Sequence, residues 1–125
     1  MVRKTFDVMV TPNLYGNLVA NLSAGLAGGA GIVPGCNIGS DITVFEQGAR
    51  HVAKSLAGRD MANPTAMLFS TAMMFRHLQF PMFADRLERG IFAVLSQPQF
   101  HTADIEGTCS TSAFMDALVK ELEEN

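Results

Sequence analysis

Asn17 and Asn21 stand four residues apart, a spacing that puts both side chains on one face of a helix. Amide oxygens and amide N–H groups pair readily with each other and with backbone. A neutral amide oxygen is also a much weaker ligand for a hard dication than a carboxylate is. The pair therefore reads as a hydrogen-bonding element and not as a metal site. Asn63 precedes Pro64 at the head of an apolar stretch, where it suits a helix cap. Arg50, Lys54 and Arg59 make a basic loop that is either solvated or meets an anion such as a phosphate.

Other reactive residues form no recognisable constellation. His51, His77 and His101 are far apart and lack metal-ligand spacing. His77 follows Arg76 near the end of a helical stretch, where a cation suits the helix dipole. Cys36 and Cys109 make no CxxC pair, so they read as free thiols in a reducing compartment. No serine lies in a nucleophile elbow. Gly28-Gly29-Ala30-Gly31 lacks the lysine of a phosphate loop and follows a helix instead of preceding one.

The positioning elements follow from periodicity. Phe6–Val10 reads as a short buried strand, ended by Thr11-Pro12-Asn13. A helical period runs over Leu14–Leu26 with Asn13 as its cap, and the glycines from Gly28 stop it. Residues 32–39 read as a loop around Pro34-Gly35. Ile42–Glu46 reads as a second strand, followed by a polar, irregular stretch to Asp60. Pro64 opens a helix to about Leu78 that is apolar on nearly every side, with Met67, Met73 and Met74 as core or interface packing. Met82–Leu95 forms the next helix, its wet face carrying Asp85, Arg86, Glu88 and Arg89. A loop over 96–108 leads to an amphipathic helix over Ser112–Glu124, capped by Ser110, Thr111 or Ser112, with Phe114, Leu118 and Leu122 in register.

These elements define an α/β chain with few strands and several packed helices. The chain has 125 residues, room for one small domain. Only 17% are charged and 48% are hydrophobic, which excludes a disordered tail. The net charge of −3 and the lack of a basic block leave no footprint for nucleic acid. No apolar run is long enough to span a bilayer. Met1–Lys4 runs straight into the first strand with neither a signal peptide nor a transit segment, and that start suggests a longer parent.

Three stretches together carry a resemblance. They are Asp7-Val8-Met9-Val10-Thr11-Pro12-Asn13-Leu14-Tyr15-Gly16-Asn17 with Asn21–Leu26 and Gly28-Gly29; Met61-Ala62-Asn63-Pro64-Thr65-Ala66; and Thr102, Asp104-Ile105, Gly107 and Ser110-Thr111-Ser112. In this order and spacing the chain resembles the isocitrate and isopropylmalate dehydrogenase family of β-decarboxylating dehydrogenases. Phe45–His51 looks closest to the beta-type, non-catalytic subunit of the mitochondrial NAD-dependent enzyme.

The resemblance implies the C-terminal portion of an isopropylmalate dehydrogenase-like fold, an incomplete domain over residues 1–125. An N-terminal portion would carry the substrate-binding arginines, the catalytic tyrosine and lysine, and much of the sheet. Catalytic members place two aspartates where this chain has Asn17 and Asn21, which makes the pair a pseudo-site and leaves no catalytic residue here. The family's His-Gly pair is missing from the cofactor loop, which runs a residue longer. Asn63 matches the asparagine that meets the adenine of the cofactor, an alternative to its cap role. Arg50, Lys54 and Arg59 could meet the phosphates of a nucleotide or a citrate-like effector.

The expected function is accordingly a regulatory or assembly subunit, or part of one, of NAD-dependent isocitrate dehydrogenase. Its catalytic partner subunit would hold NAD and Mg2+ or Mn2+ and turn isocitrate into 2-oxoglutarate in the tricarboxylic acid cycle, in the mitochondrial matrix. The helix from Pro64 to Leu78 would lie near a dimer interface. Two alternatives stand beside this. One is a non-functional truncated copy with an exposed sheet edge. The other is a partial catalytic subunit with a degenerate metal site.

Overall fold

A computed structural model describes residues 7–49 and 51–124. Among the described residues the fold has four helices and one hairpin: α1 (Asn13–Ala27), β1 (Pro34–Ile38), β2 (Thr43–Gln47), α2 (Thr65–His77), α3 (Pro81–Leu95) and α4 (Thr111–Glu124). Three single turns of 3-10 helix, at Lys54–Leu56, Pro98–Phe100 and Ala103–Ile105, punctuate the connections.

The core lies where α2, α3 and α4 meet. Ile91 and Val94 of α3 and Phe114 and Leu118 of α4 are fully buried, with Leu68, Phe69, Leu87, Phe100 and Leu122 packed around them. The i, i+3 and i, i+4 spacing of these residues turns one stripe of each helix inward. Gly90 lets α4 come close, because a Cβ there would stand 3.1 Å from the Leu118 side chain and 3.0 Å from that of Leu122. At the surface, the Arg76 guanidinium of α2 grips Asp85 at 2.7 Å and both carboxylate oxygens of Glu88 on α3. A planar fork suits two acceptors at once. These contacts raise the Arg76 pKa, the Glu88 hydrogen bond most of all.

The hairpin β1–β2 is antiparallel, with Cys36 opposite Phe45 and Asn37 opposite Val44. Its inner face lies on α2, where the Phe45 and His77 rings sit 5.5 Å apart. The Ser70 hydroxyl donates to the Glu46 carbonyl and also to Ala66 of its own helix at 2.9 Å. Thus α2 is enclosed between the hairpin and α3. Thr65, Ala66, Ser70 and Ala72 are buried, and Met67 is half-exposed. The residues that lie deepest are small, which allows the close approach on both sides.

Several expectations need correction. Residues 32–39 are not all loop, since β1 occupies Pro34–Ile38. Pro34 is tolerated as the first strand residue, where its missing N–H costs no ladder bond. The expected strand over Phe6–Val10 does not form in its described part, and Phe6 lies outside the described residues. Val8 and Val10 are 78% and 91% exposed, because the sheet consists of β1 and β2 alone among the described residues. Asn13 does not cap α1. It is the first helical residue, Pro12 precedes it, and no side chain caps that end. At the other end the glycines behave as expected, with Gly28 at φ 123° and its N–H bonded to the Ala24 carbonyl.

Candidate functional site

The asparagine pair sits on α1 beside the hairpin. A cleft of about 300 Å3 is lined by Asn13 and Asn17 on one side and by Cys36, Asn37, Glu46 and Gln47 on the other. Asn21 Nδ2 donates to the Asn17 side-chain oxygen at 2.9 Å and to the Asn17 carbonyl at 2.7 Å. The nearby carboxylate of Glu46 accepts a 2.6 Å hydrogen bond from Asn37 Nδ2. The Asn17 side-chain oxygen and one oxygen of the Glu46 carboxylate therefore already have donors. Two neutral amides, one of them bonded to the other, do not fit a hard dication that seeks several anionic oxygens. No cluster of three or more histidine, cysteine or acidic side chains suited to a metal occurs among the described residues. The cleft can hold a polar group by hydrogen bonding, and no catalytic step is derived from it.

Asn63 lies in a second cluster. Its Oδ1 accepts the Thr65 N–H at 3.0 Å, which caps α2, and its Nδ2 donates to Asp104 at 3.1 Å. Asp104 also accepts from the buried Thr102 hydroxyl at 2.5 Å. Gly31 is pressed against both, since a Cβ there would stand 2.5 Å from Asp104 and 2.9 Å from Asn63. The Gly31 carbonyl in turn accepts the Ala66 N–H at 2.8 Å. Only a residue without a side chain fits at this junction. The cap reading of Asn63 is thus realised in the geometry, and one N–H of its amide remains for another acceptor.

The basic loop is not gathered around Asn63. Arg50 lies outside the described residues. Lys54 and Arg59 are exposed, and no ion pair or side-chain hydrogen bond joins either to Asn63 among the described residues. His51 turns inward on the loop itself, its Nδ1 accepting the Ala53 N–H at 3.0 Å. Ala53 adopts a left-handed conformation there, φ 47°.

One structural residue escaped the sequence reading. Asp60 accepts from both the Ser112 N–H at 2.9 Å and the Ser112 hydroxyl at 2.8 Å, so it caps α4 from a distant point in the chain. Its carboxyl is held below the usual range, first by the Ser112 hydroxyl and then by the Ser112 N–H. Ser110 completes the cap, accepting from the Ala113 N–H at 3.1 Å. The only local hint of Asp60 was a residue type suited to caps and left-handed turns.

The sequence model for isocitrate/isopropylmalate dehydrogenase matches residues 1–118. The chain belongs to this family. Regulatory subunit 1 of mitochondrial NAD isocitrate dehydrogenase from Arabidopsis thaliana is 54% identical over 121 residues, covering 94% of this chain and 33% of that protein. A regulatory subunit of the mitochondrial NAD isocitrate dehydrogenase from Dictyostelium discoideum is 45% identical over 120 residues, with 96% and 33% covered. The crystal structure of isocitrate dehydrogenase from Methylococcus capsulatus superposes with a TM-score of 0.81 at 37% identity, over 88% of this chain and 33% of that one. This isocitrate/isopropylmalate dehydrogenase chain therefore spans about a third of the length of the curated relatives it matches. Its helices and small sheet take the family's arrangement over most of their length, in agreement with the α/β expectation.

Proposed function

We propose that this chain acts as a non-catalytic, regulatory or assembly subunit, or as part of one, in NAD-dependent isocitrate dehydrogenase. The observation that carries the reading is the Asn17–Asn21 lock. At the two positions where the resemblance implies metal-holding aspartates, the Asn21 amide donates to the Asn17 side-chain oxygen. Relatives whose names call them regulatory subunits, with identities of 50–54%, support it. The catalytic partner subunit would bind NAD and Mg2+ or Mn2+ and would oxidise isocitrate to 2-oxoglutarate and carbon dioxide. The names of these relatives place them in mitochondria, and the matrix is the proposed location here.

A nucleotide or citrate-like effector would meet Arg50, Arg59 and the free N–H of Asn63. The exposed cation of Arg59 supports this, and the use of the Asn63 oxygen as a cap limits it. The proposed domain is a partial isopropylmalate dehydrogenase-like unit over 1–125.

The deciding assay follows NADH at 340 nm with the purified chain, isocitrate, NAD and Mn2+. No turnover is expected, and isocitrate-dependent NADH would overturn the non-catalytic reading. Size exclusion after co-expression with a catalytic subunit then tests partnership. A stoichiometric complex is expected, and separate elution of the two chains would refute it.

The alternative of a truncated, inactive copy draws on one observation, the exposed apolar surface of α1, which favours aggregation. A soluble monomer with a cooperative melt would count against that alternative.

A further inference from the structure

The corner between α2 and α3 is apolar where a surface turn is ordinarily polar. Leu78, Phe80, Met82 and Phe83 lie there within six residues and are 51–81% exposed. Gln79 takes a left-handed φ of 64° among them. The Phe83 ring stands 6.2 Å from that of Phe75 and 6.1 Å from that of Phe80. Beside this knob a cleft of about 340 Å3 is lined by Phe75, Phe83, Leu87, Val119 and Leu122, with Arg86 and Glu123 as its charged members. The Arg86 guanidinium donates to the Leu122 carbonyl in the last turn of α4. That bond ties Arg86 to the cleft with N–H groups to spare, since a guanidinium carries five. No ion pair joins Arg86 to Glu123 among the described residues.

We infer that this face pairs with the same face of a second copy of the chain, the corner of each copy seated in the cleft of the other. A two-fold contact sets residue i on residue j and residue j on residue i. The cleft supplies what such a contact needs, one cation and one anion that are not paired with each other. Arg86 of one copy then meets Glu123 of the other, twice over, and the charge pattern is its own complement. The area is also sufficient. Leu78, Phe80, Met82, Phe83 and the half-exposed Val119 together show roughly 600 Å2, at the ~200 Å2 of a whole large side chain. Two such faces come to roughly 1,200 Å2, the lower bound for a stable specific interface. Other occupants fit less well. A membrane surface calls for a cluster of lysine and arginine, and here an acid accompanies the arginine. A small apolar ligand would fill the cleft and leave Phe80 and Met82 in water. Of the interface expected along α2, this arrangement uses the last turn, through Phe75.

The inference concerns self-association and does not rest on the regulatory reading, so no catalytic subunit, isocitrate or NAD enters its test. Sedimentation velocity is run over a concentration series on the purified chain and on Met82→Glu, Arg86→Glu and Glu123→Arg. Wild type should show a monomer–dimer equilibrium. Each variant should weaken it at least tenfold. An equimolar mixture of Arg86→Glu and Glu123→Arg should return the Kd to within threefold of wild type, because in the mixed pair every acid meets a base. Arg86→Glu also removes a bond to α4. If that variant fails to fold, Met82→Glu and Glu123→Arg decide the matter. A dimer that ignores Met82→Glu and Glu123→Arg would overturn the inference by placing the contact on another face. A mixture no tighter than either charge variant alone would overturn it as well. So would a wild type that stays monomeric throughout, and uptake of the dye ANS by that monomer, lost in Met82→Glu, would assign the cleft to a small apolar ligand instead.

Discussion

Asp60 and Ser112 are joined by two hydrogen bonds, at 2.9 Å to the backbone N–H and 2.8 Å to the hydroxyl, and this pairing fastens the start of α4 to the loop before α2. The carboxylate meets the positive end of a helix and accepts two donors there. Its pKa is lowered in the folded chain, so the ionised form is the one that folding favours. The stabilisation is present above the unfolded value of roughly 3.9 and is lost as the pH falls through the lower folded value. Replacing Asp60 by Asn keeps the left-handed backbone, φ 54°, but removes the charge. Denaturation from pH 7 to pH 2 should show wild type more stable at neutral pH, with the gap closing below about pH 4. A gap that is constant with pH would rule out the linkage.

Restoring Asp at both Asn17 and Asn21 would set two like charges four residues apart on α1. Repulsion at that spacing destabilises a helix by a few tenths of a kcal/mol, and Mn2+ should reverse the loss by bridging the carboxylates. The double variant should melt lower than wild type without metal and gain with Mn2+, while wild type gains nothing. It should remain inactive with isocitrate and NAD. A Mn2+ effect on wild type equal to that on the variant would show that the amide lock does not exclude the cation.

Phe114→Ala should lower stability by about 3–5 kcal/mol. The ring is fully buried against Ile91, Val94 and Leu118, so the change leaves a hole at the meeting point of α3 and α4. A loss under about 1 kcal/mol by urea denaturation would mean that this cluster does not hold the chain together.

Gly107→Ala should prove nearly as disruptive for a different reason. A Cβ at 107 would stand 1.9 Å from the His101 carbonyl oxygen, and backbone cannot step aside as a side-chain tip does. Overpacking of this kind costs about 1–3 kcal/mol or more. The turn it closes, with Gly107 N–H bonded to the Thr102 carbonyl at 3.0 Å and Cys109 N–H to the His101 carbonyl at 2.9 Å, should lose hydrogen-exchange protection in the variant. Unchanged protection and stability would contradict this packing.

What could be read in the sequence was what is local. The helices α2, α3 and α4 fall within a residue or two of their expected bounds, because Pro64 and Ser110 mark the starts of α2 and α4 and the helical pattern of apolar and charged residues marks α3. The hairpin was half visible. Thr43–Gln47 has strand composition, but β1 contains Pro34 and Gly35, and it is a strand because β2 pairs with it. For Val8–Val10 the error ran the other way, since strand-like composition produces no strand without a partner edge. The candidate site divided along the same line. The Asn17–Asn21 bond follows from i, i+4 spacing, and the Asn63 cap from its place before a proline. Asp104 as the second partner of Asn63 and Asp60 as the cap of α4 lie 41 and 52 residues from their partners, beyond what local pattern encodes.

The junction at Gly31 has a mechanical side. Its carbonyl is bonded to Ala66 and its backbone is wedged against Asn63 and Asp104, so the chain is riveted to the helical body at that point. Just before the rivet, Gly28 and Gly29 both take positive φ, and before them α1 is held by no other helix or strand among the described residues. The arrangement is that of a lever on a fixed pivot. Asn13 and Asn17 of α1 form one wall of the cleft and Glu46 part of the other, so the angle at which α1 leaves the two glycines and the width of the cleft are one geometric quantity.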